Sequence, residues 1–244
     1  MPSKPKKQGV VRRIFLFVLR LLIILFTAHF LYAVLLIWVM PPVTITQISG
    51  IIKGHGFDRT NISLEEIDPQ TALAFIASED QRFAQHNGFD WESIEKAIEH
   101  NKENPDRMRG ASTISQQVAK NVFLWQGRSW FRKGLEFYST FLIELLWSKR
   151  RILEVYLNVA QTGKGIYGVE AAAQNYYNKS ASKLTNTEAA RIVACLPNPE
   201  VYSVTKPGPF VKRRTQWILK QMKYLTGEKH LWPLLYPDKK NNHK

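Results

Sequence analysis

The sequence predicts a mainly α-helical domain preceded by one N-terminal transmembrane helix. A strongly apolar run near the amino terminus indicates the membrane span. Apolar residues spaced three and four apart indicate amphipathic helices in the rest of the chain. These helical segments are residues 69–83, 91–101, 113–125, 130–147, 152–158, 169–177, 187–196 and 210–226. Only residues 44–52 have a β-like pattern, and it is weak.

The predicted span has basic residues on one side only. Residues 21–40 alone supply the roughly 20 residues that cross a hydrocarbon core. Lys4, Lys6, Lys7, Arg12 and Arg13 precede them, whereas Pro41, Pro42 and an uncharged stretch follow. By the positive-inside rule, we expect a cytoplasmic basic tail at residues 1–13, a signal-anchor helix at 14–40 and an extracytoplasmic domain at 41–244.

A cleaved signal peptide is the alternative interpretation of this N-terminus. The apolar run is long for a signal peptide, and no small-x-small cleavage site follows it. Arg20 can snorkel to the cytoplasmic interface, but His29 lies deeper and is costly unless it is neutral or faces a partner. A partner helix beside His29 is therefore a hypothesis.

The charge balance limits the classes of ligand. The net charge is +14, and the first 40 residues hold six Lys or Arg and no acid. The remaining 28 Lys and Arg exceed the 20 Asp and Glu by eight, so the exported domain is itself basic. It suits an anionic substrate or membrane surface, and export makes nucleic acid the least suitable partner.

Cysteine and histidine usage excludes two further classes. Cys195 is the only cysteine, so the chain cannot form an intrachain disulfide, and its apolar setting predicts a core position. The six histidines are scattered without a second ligand at helical spacing, so no structural zinc site is predicted.

Glycine and capping residues mark the ends of elements. Asp90, either Ser112 or Thr113, and the capping box Thr185-x-x-Glu188 predict helix starts. Residues 163–168 contain three glycines. They predict either a backbone that approaches a ligand or an ordinary turn between helices.

The stretch from Glu79 to Asp90 offers a candidate general base. Glu79 follows an apolar helical segment, where partial desolvation of a carboxylate suits proton abstraction. A solvated carboxylate on the last helical turn is the alternative. Asp80 points about 100° away around the helix and is expected to hold the turn at residues 83–88.

The stretch from Gly110 to Asn121 offers an anion site, because helix N-terminal amides and a lysine come together. Ser112, Gln116 and Lys120 are four apart and are expected to share one helical face, with Gln117 beside them. A cationic cluster with a second carboxylate follows, formed by Arg128, Arg132, Lys133 and Glu136. Ordinary ion pairing on a helix surface is the alternative.

Aromatic residues lie among these cations at positions 122–131. An apolar and basic mixture is typical of segments at the lipid headgroup boundary, so we expect a second membrane contact here. The alternative is that these residues belong to the core.

Four ordered motifs resemble those of one family. They are Glu79-Asp80-x-x-Phe83-x-x-His86-x-Gly88-x-Asp90, Gly110-x-Ser112-Thr113-Ile114-x-Gln116-Gln117-x-x-Lys120-Asn121, Arg132-Lys133-x-x-Glu136 and Ile152-Leu153-Glu154-x-Tyr156-Leu157-Asn158. The chain resembles the peptidoglycan glycosyltransferases, most closely the monofunctional, membrane-anchored members. Bifunctional members append a transpeptidase with Ser-x-x-Lys and Lys-Thr-Gly motifs. Ser180-x-x-Lys183 matches the first by letters only, and no Lys-Thr-Gly follows.

The resemblance implies a lysozyme-like helical fold with a small lipid-facing jaw near residues 123–131. It implies catalytic roles for Glu79 and Glu136. It implies substrate binding by Ser112, Gln116, Gln117, Lys120, Arg128, Arg132 and Lys133. Supporting motif positions are Asp80, Phe83, His86, Gly88, Thr113 and Asn121.

The implied reaction is polymerisation of lipid II, with release of undecaprenyl pyrophosphate and inversion at the donor sugar. No cofactor is required, although a divalent Mg or Mn ion at the pyrophosphate, with Glu136 as ligand, is left open. The implied location is the bacterial inner membrane, with the domain in the periplasm. Expected partners are lipid II, the growing glycan, the membrane and, through the span, other wall-synthesis or division proteins.

Two other functions remain open at this point. A lysozyme-like hydrolase or lytic transglycosylase would cleave glycan and needs a protonated Glu79, whereas synthesis needs an ionised one. A non-enzymatic scaffold for the wall machinery would make Glu79 and the cations dispensable. The cationic cluster favours synthesis, because a pyrophosphate leaving group needs nearby cations more than it needs an acid.

Overall fold

The computed structural model describes residues 8–107, 110–127 and 129–236. The chain divides into two compact units, one ending at Val39 and the other beginning at Met40. The first contains helix α1, Gln8–Leu35. Its residues Gly9–Leu35 are long and apolar enough to cross a membrane. The predicted N-terminal apolar helix is therefore present, and its orientation stays a prediction.

The second unit is built mainly of helices, as the sequence predicts. They are α2 Ile45–Ile52, α3 Pro69–Glu79, α4 Trp91–Glu103, α5 Ile114–Phe123, α6 Trp130–Leu146, α7 Lys149–Val159, α8 Val169–Tyr177, α9 Asn186–Ala194, α10 Pro209–Leu225 and α11 Trp232–Leu235. Short 3₁₀ turns lie at Pro105–Arg107, Ala181–Lys183 and Lys229–Leu231.

One small sheet joins three strands, β1 Asp58–Arg59, β2 Gln161–Gly163 and β3 Ile166–Tyr167. β3 lies in the middle, parallel to β1 and antiparallel to β2. The glycine-rich segment is therefore a hairpin, and the prediction of a turn between helices is wrong. A Cβ on Gly165 would lie 2.0 Å from the His55 carbonyl oxygen, so this backbone approaches the protein itself.

The weak β prediction for residues 44–52 is also wrong, because this segment is α2. Thr44 caps the helix: its Oγ1 accepts from the Gln47 amide, and the Gln47 side chain accepts from the Thr44 amide. Such a reciprocal cap satisfies two donors at a helix start and outweighs the β-branched composition. Thr185 and Glu188 form the same kind of reciprocal cap at the start of α9, so the predicted capping box is confirmed.

The core lies around α3, whose residues Thr71–Ala77 are all buried. α3 packs against α9 and α10, and α5 packs against α6 and α7. Cys195, just after α9, is buried as predicted, and burial raises the pKa of its thiol to about 11. This packing brings the end of α3 to the start of α5, where the two main motifs meet.

Asp80 joins these two motifs. Its Oδ1 contacts His86 Nε2 at 2.9 Å, and its Oδ2 accepts from the Ile114 amide at 2.9 Å. Thr113 Oγ1 adds a bond of 2.7 Å to the Gly88 carbonyl oxygen. The prediction that Asp80 holds the following turn is confirmed, and the same carboxylate also anchors α5.

Gly88 allows this turn to pass close to α6. Its φ is +87°, and a Cβ there would lie 2.9 Å from both Glu144 Cγ and Thr140 Cγ2. We expect Gly88→Ala to lower the free energy of unfolding by about 1–3 kcal/mol through strain and overpacking. Thermal unfolding of the detergent-solubilised protein measures this.

Gly134→Ala is the matched control. Gly134 lies within α6, and no atom outside its own helix lies within 4 Å of a Cβ built there. Alanine should leave stability unchanged or raise it by about 0.5–1 kcal/mol. Equal destabilisation by both substitutions would contradict the role given to Gly88.

Candidate active site

Glu79 is the last residue of α3, and hydrogen-bond donors surround its carboxylate. Gln117 Nε2 donates to Oε2 at 3.1 Å, and Ser78 Oγ donates to Oε1 at 2.9 Å. Arg214 Nη2 lies 3.6 Å from Oε1 and donates to Ser78 Oγ at 3.1 Å. With its side chain 15% exposed, Glu79 is not a freely solvated carboxylate. Its two oxygens are held in place by the side chains of Ser78 and Gln117.

Tyr156 orients the amide that contacts Glu79. Its buried hydroxyl donates to Gln117 Oε1 at 3.3 Å, which leaves Gln117 Nε2 to donate to Glu79. Burial, together with the negative charges of Glu79 and Asp80, raises the pKa of Tyr156 well above its ordinary value. The hydroxyl therefore keeps its proton, and the amide keeps this orientation.

Two clefts lie beside the Glu79–Gln117 hydrogen bond. The first, of about 390 Å³, is lined by Glu79, Asp80 and Ser112 among others. The second, of about 340 Å³, is lined by Gln117, Lys120 and Tyr156, and by the polar side of α2. The carboxylate faces one cleft, and its amide partner faces the other.

Lys120 brings a positive charge into the second cleft. Partial burial lowers the pKa of Lys120, and the positive charges of Arg132 and Lys133 lower it further. Glu136 and Glu79 act in the opposite direction. An incompletely hydrated ammonium of this kind gains most from an anionic ligand, because the ligand replaces lost solvation.

Glu136 organises the neighbouring cations. It is 3% exposed, its Oε2 accepts from Arg132 Nη1 at 2.8 Å, and its Oε1 accepts from Lys133 Nζ at 2.5 Å. The spacing resembles that of ordinary helix ion pairs, but burial of the carboxylate distinguishes this cluster from a solvated surface pair. Both of its oxygens are engaged by cations.

The shared face predicted for Ser112, Gln116 and Lys120 is wrong in two respects. Thr113 caps α5, so Ser112 precedes the helix and lies exposed in the Glu79 cleft. Gln116 is buried, and its Oε1 accepts from the Thr113 amide at 3.0 Å to complete a capping box. Arg128 lies outside the described residues.

The supporting motif residues hold this framework. Phe83 is fully buried under the Lys149 ammonium, which lies 4.6 Å from the ring centre. Asn121 Oδ1 accepts from Thr46 Oγ1 at 3.5 Å and so links α5 to α2. His86 and Thr113 add the contacts that tie the turn after α3 to the start of α5.

The membrane-contact and core interpretations each hold for some of the residues at positions 122–131. Val122 and Leu124 are buried, so the core interpretation is right for them. Trp125, Trp130 and Phe131 are exposed, which agrees with the membrane-contact interpretation for these three side chains.

The sequence analysis missed Arg214 and Ser78. Arg214 lies between Val211 and Thr215 on α10, both of which are buried. Positions 211 and 215 are four apart and share one helical face, which predicts that Arg214 lies beside the inward face of the helix. Nothing in the spacing indicated that α10 would meet the end of α3.

Comparison with known proteins identifies the family. The sequence model described as Transglycosylase matches residues 45–223, from the first residue of α2 into α10. The chain belongs to the transglycosylase family. It is similar to proteins named biosynthetic peptidoglycan transglycosylase in Shigella boydii serotype 4 (strain Sb227), Shigella sonnei (strain Ss046) and Escherichia coli (strain K12 / DH10B). Each is 59% identical over 167 residues, 68% of this chain and 69% of the relative.

Residues 45–223, which the Transglycosylase model matches, include every site residue described above, from Ser78 to Arg214. The chain is therefore a peptidoglycan glycosyltransferase. Family membership agrees with the resemblance drawn from the four motifs. It does not assign a chemical step to any residue, so those assignments rest on the geometry.

We expect Lys120→Met to separate activity from stability. Loss of the cation in the second cleft should reduce glycosyl transfer about 10²–10³-fold. The melting temperature should stay constant or rise, because the substitution removes a charge whose hydration is incomplete in the fold. Initial rates and thermal unfolding on the same preparation measure both.

Lys212→Met is the control for this substitution. Lys212 is an exposed lysine on α10, so neither rate nor melting temperature should change appreciably. A melting temperature for Lys120→Met that falls in step with its activity would contradict the assigned role.

Proposed function

We propose that the enzyme polymerises lipid II by attack of the acceptor's GlcNAc 4-hydroxyl on the anomeric carbon of the donor's MurNAc. A new glycosidic C–O bond forms, the bond to the pyrophosphate oxygen breaks with inversion, and undecaprenyl pyrophosphate departs with the electron pair. The hydrogen bond between Glu79, which lines one cleft, and Gln117, which lines the Lys120 cleft, carries this proposal.

Glu79 is the base that takes the hydroxyl proton. Ser78, Gln117 and Arg214 present donors or positive charge to its two oxygens and hold the carboxylate at the cleft where the acceptor hydroxyl would bind. A glycan-cleaving enzyme of the lysozyme type instead places its acid in a hydrophobic pocket. The polar contacts of Glu79 therefore favour synthesis over cleavage.

Lys120 stabilises the negative charge that develops on the pyrophosphate. Arg132 and Lys133 lie close enough to influence its titration and add positive charge to the same region. Pyrophosphate is a good leaving group, so catalysis there depends on cations more than on proton donation. Gln117 faces the same cleft and would hold the donor.

Ser112 and Gln116 receive revised roles. Ser112 shares a cleft with Glu79, so we assign it to the acceptor side instead of the donor side. Gln116 caps α5 through Thr113, so it shapes the start of the helix. Arg128 remains a proposed ligand of the donor, on the resemblance alone.

Glu136 acts through the cations that it holds. Because Arg132 and Lys133 already engage both of its oxygens, Glu136 does not fit as a ligand for Mg or Mn. Its role is to keep two positive charges at fixed positions and to balance part of their charge. No step in the proposal passes through a metal ion at Glu136.

The enzyme's membrane placement follows from the N-terminal helix. We propose a single pass through the bacterial inner membrane, with the basic tail cytoplasmic and the domain periplasmic. We also propose that this helix is the segment through which other wall-synthesis or division proteins contact the enzyme. Protease access to the domain in spheroplasts checks the orientation.

Incubation of the purified full chain with lipid II, followed by sizing of the products, tests the reaction. The wild type should form glycan polymer, and Glu79→Gln should lower the rate about 10²–10⁴-fold, because the amide cannot accept the proton. Strand growth that survives Glu79→Gln would remove Glu79 as the base. Cleavage of added glycan without polymer formation would support a hydrolase instead.

Arg214→Gln tests whether the guanidinium keeps Glu79 ready as a base. Loss of the guanidinium that lies 3.6 Å from Glu79 Oε1 and donates to Ser78 Oγ should leave the carboxylate less well positioned, so kcat/KM should fall about tenfold. Arg214→Lys, which keeps the positive charge, should restore part of the activity.

Arg213→Gln supplies the control at the neighbouring position. The Arg213 side chain is exposed, and the substitution removes the same charge from the same helix. Its kcat/KM should match that of the wild type. An equal loss in both variants would attribute the effect to the general charge of α10.

A further inference from the structure

Helix α2 has its polar side inside and its apolar side outside. Thr46, Gln47 and Gly50 are buried. The isoleucines at positions 45, 48, 51 and 52 are between 37 and 81% exposed. A surface helix of a globular domain normally has the reverse arrangement, with its apolar stripe against the core. The outward face of α2, Ile45, Ile48, Ile51 and Ile52, is here called the isoleucine face.

Several contacts fix this orientation. Gln47 Oε1 accepts from Arg59 Nη1 at 3.1 Å, and Thr46 Oγ1 accepts from Gln126 Nε2 at 2.6 Å. Gly50 lies so close to Tyr167 that a Cβ would be 2.1 Å from the phenol oxygen. Rotation of α2 to bury its isoleucines would break these hydrogen bonds and drive side chains into Tyr167. The isoleucine face is therefore a stable feature of the domain.

Chain connectivity indicates what covers this face. Only residues 36–44 separate the end of α1 from the start of α2. Nine residues span at most about 30 Å even when fully extended. The chain length therefore keeps α2 within reach of the surface of a membrane that α1 crosses. Val43, just before α2, adds another exposed apolar side chain.

We propose that α2 lies at the membrane surface with its isoleucine face inserted among the lipids. Amphipathic helices bind membranes in this way, with the apolar face at the boundary of headgroups and acyl chains. The proposal rests on the proposed function and deepens it, because it concerns how the same site meets a lipid-linked substrate. It adds a contact distinct from Trp125, Trp130 and Phe131.

The opposite side of α2 lines the donor cleft. Thr46, Ser49, Gly50 and Lys53 share the cleft of about 340 Å³ with Lys120. A pyrophosphate on a lipid chain lies at headgroup depth, immediately above the acyl chains. A helix with isoleucines in the lipid and polar groups toward Lys120 would align the cleft with that depth. The isoleucine face therefore helps to present the cleft to substrate that is embedded in a bilayer.

Site-specific fluorescence on the full chain in vesicles tests the contact. Ile52→Cys would carry an environment-sensitive dye; the native Cys195 is buried, and unsubstituted protein measures any labelling there. We expect a blue-shifted emission that quenchers attached to lipid chains reduce and aqueous iodide does not. Equal access to iodide at Ile52 and at a solvent-exposed control would overturn the proposal.

Ile98→Cys is that matched control. Ile98 is 51% exposed on α4, whose neighbouring positions Glu95 and Glu99 are exposed acids unsuited to lipid. Its dye should remain accessible to iodide. If the dye at Ile52 were protected without quenching by lipid, and the protection rose with protein density, a second copy would cover α2 and the proposal would fail.

A kinetic test separates this proposal from the proposed function. Ile51→Asn combined with Ile52→Asn should raise KM for full-length lipid II in vesicles about tenfold or more, since two apolar anchors are lost. The rate with a short-chain, water-soluble lipid II analogue should not change. Ile98→Asn should change neither.

The possible failures are distinguishable. Wild-type protein inactive on both substrates would contradict the proposed function itself. Wild-type activity on both, with the double variant unchanged in vesicles, would overturn only the lipid contact of α2. Equal loss on both substrates would assign the isoleucines to folding and would likewise overturn the contact.

Discussion

The buried carboxylate of Asp80 is the contact on which the geometry of the site depends. It follows Glu79 at the end of α3 and accepts from the first amide of α5, the helix that carries Gln117 and Lys120. His86 contacts the same carboxylate, so one side chain fixes a helix end, a turn and a helix start. If Asp80 were lost, the buried Ile114 amide would lack its acceptor. The start of α5 would then no longer be fixed relative to the end of α3.

Three acidic side chains near one another thus acquire different functions from their partners. Asp80 is buried and shared between a backbone amide and an imidazole. Glu136 is buried and neutralised by two cations. Glu79 lines a cleft and accepts from the side chains of Ser78 and Gln117, and in the proposed function it takes up the acceptor's proton. Residue type alone does not distinguish a candidate general base, a residue that positions helices and a counter-ion. The contacts of each carboxylate distinguish them.

The sequence predicted the elements that carry strong local signals. Apolar periodicity located α8 at Val169–Tyr177, and motif spacing located Glu79 and Lys120. Thr113 is one of the two caps predicted for α5, but its partner Gln116 is predicted as a substrate ligand, although Thr-x-x-Gln is also a capping-box pattern. The contact of Arg214 with Glu79 and the Tyr156–Gln117 bond join residues far apart in the chain. Such contacts depend on helix packing, which periodicity does not determine.

α2 shows why local hydrophobicity misleads in this enzyme. In the proposed function this cleft receives a pyrophosphate, which needs polar walls, and the helix that lines it places Thr46 and Ser49 in the cleft with Lys120. With only eight residues, the helix must then expose its isoleucines on the other side. In a water-soluble enzyme this arrangement would leave an exposed apolar patch without compensation. For a lipid-linked substrate, a polar cleft wall and an exposed apolar face are compatible. The polar cleft is needed at the membrane surface, and there lipid can cover the isoleucines.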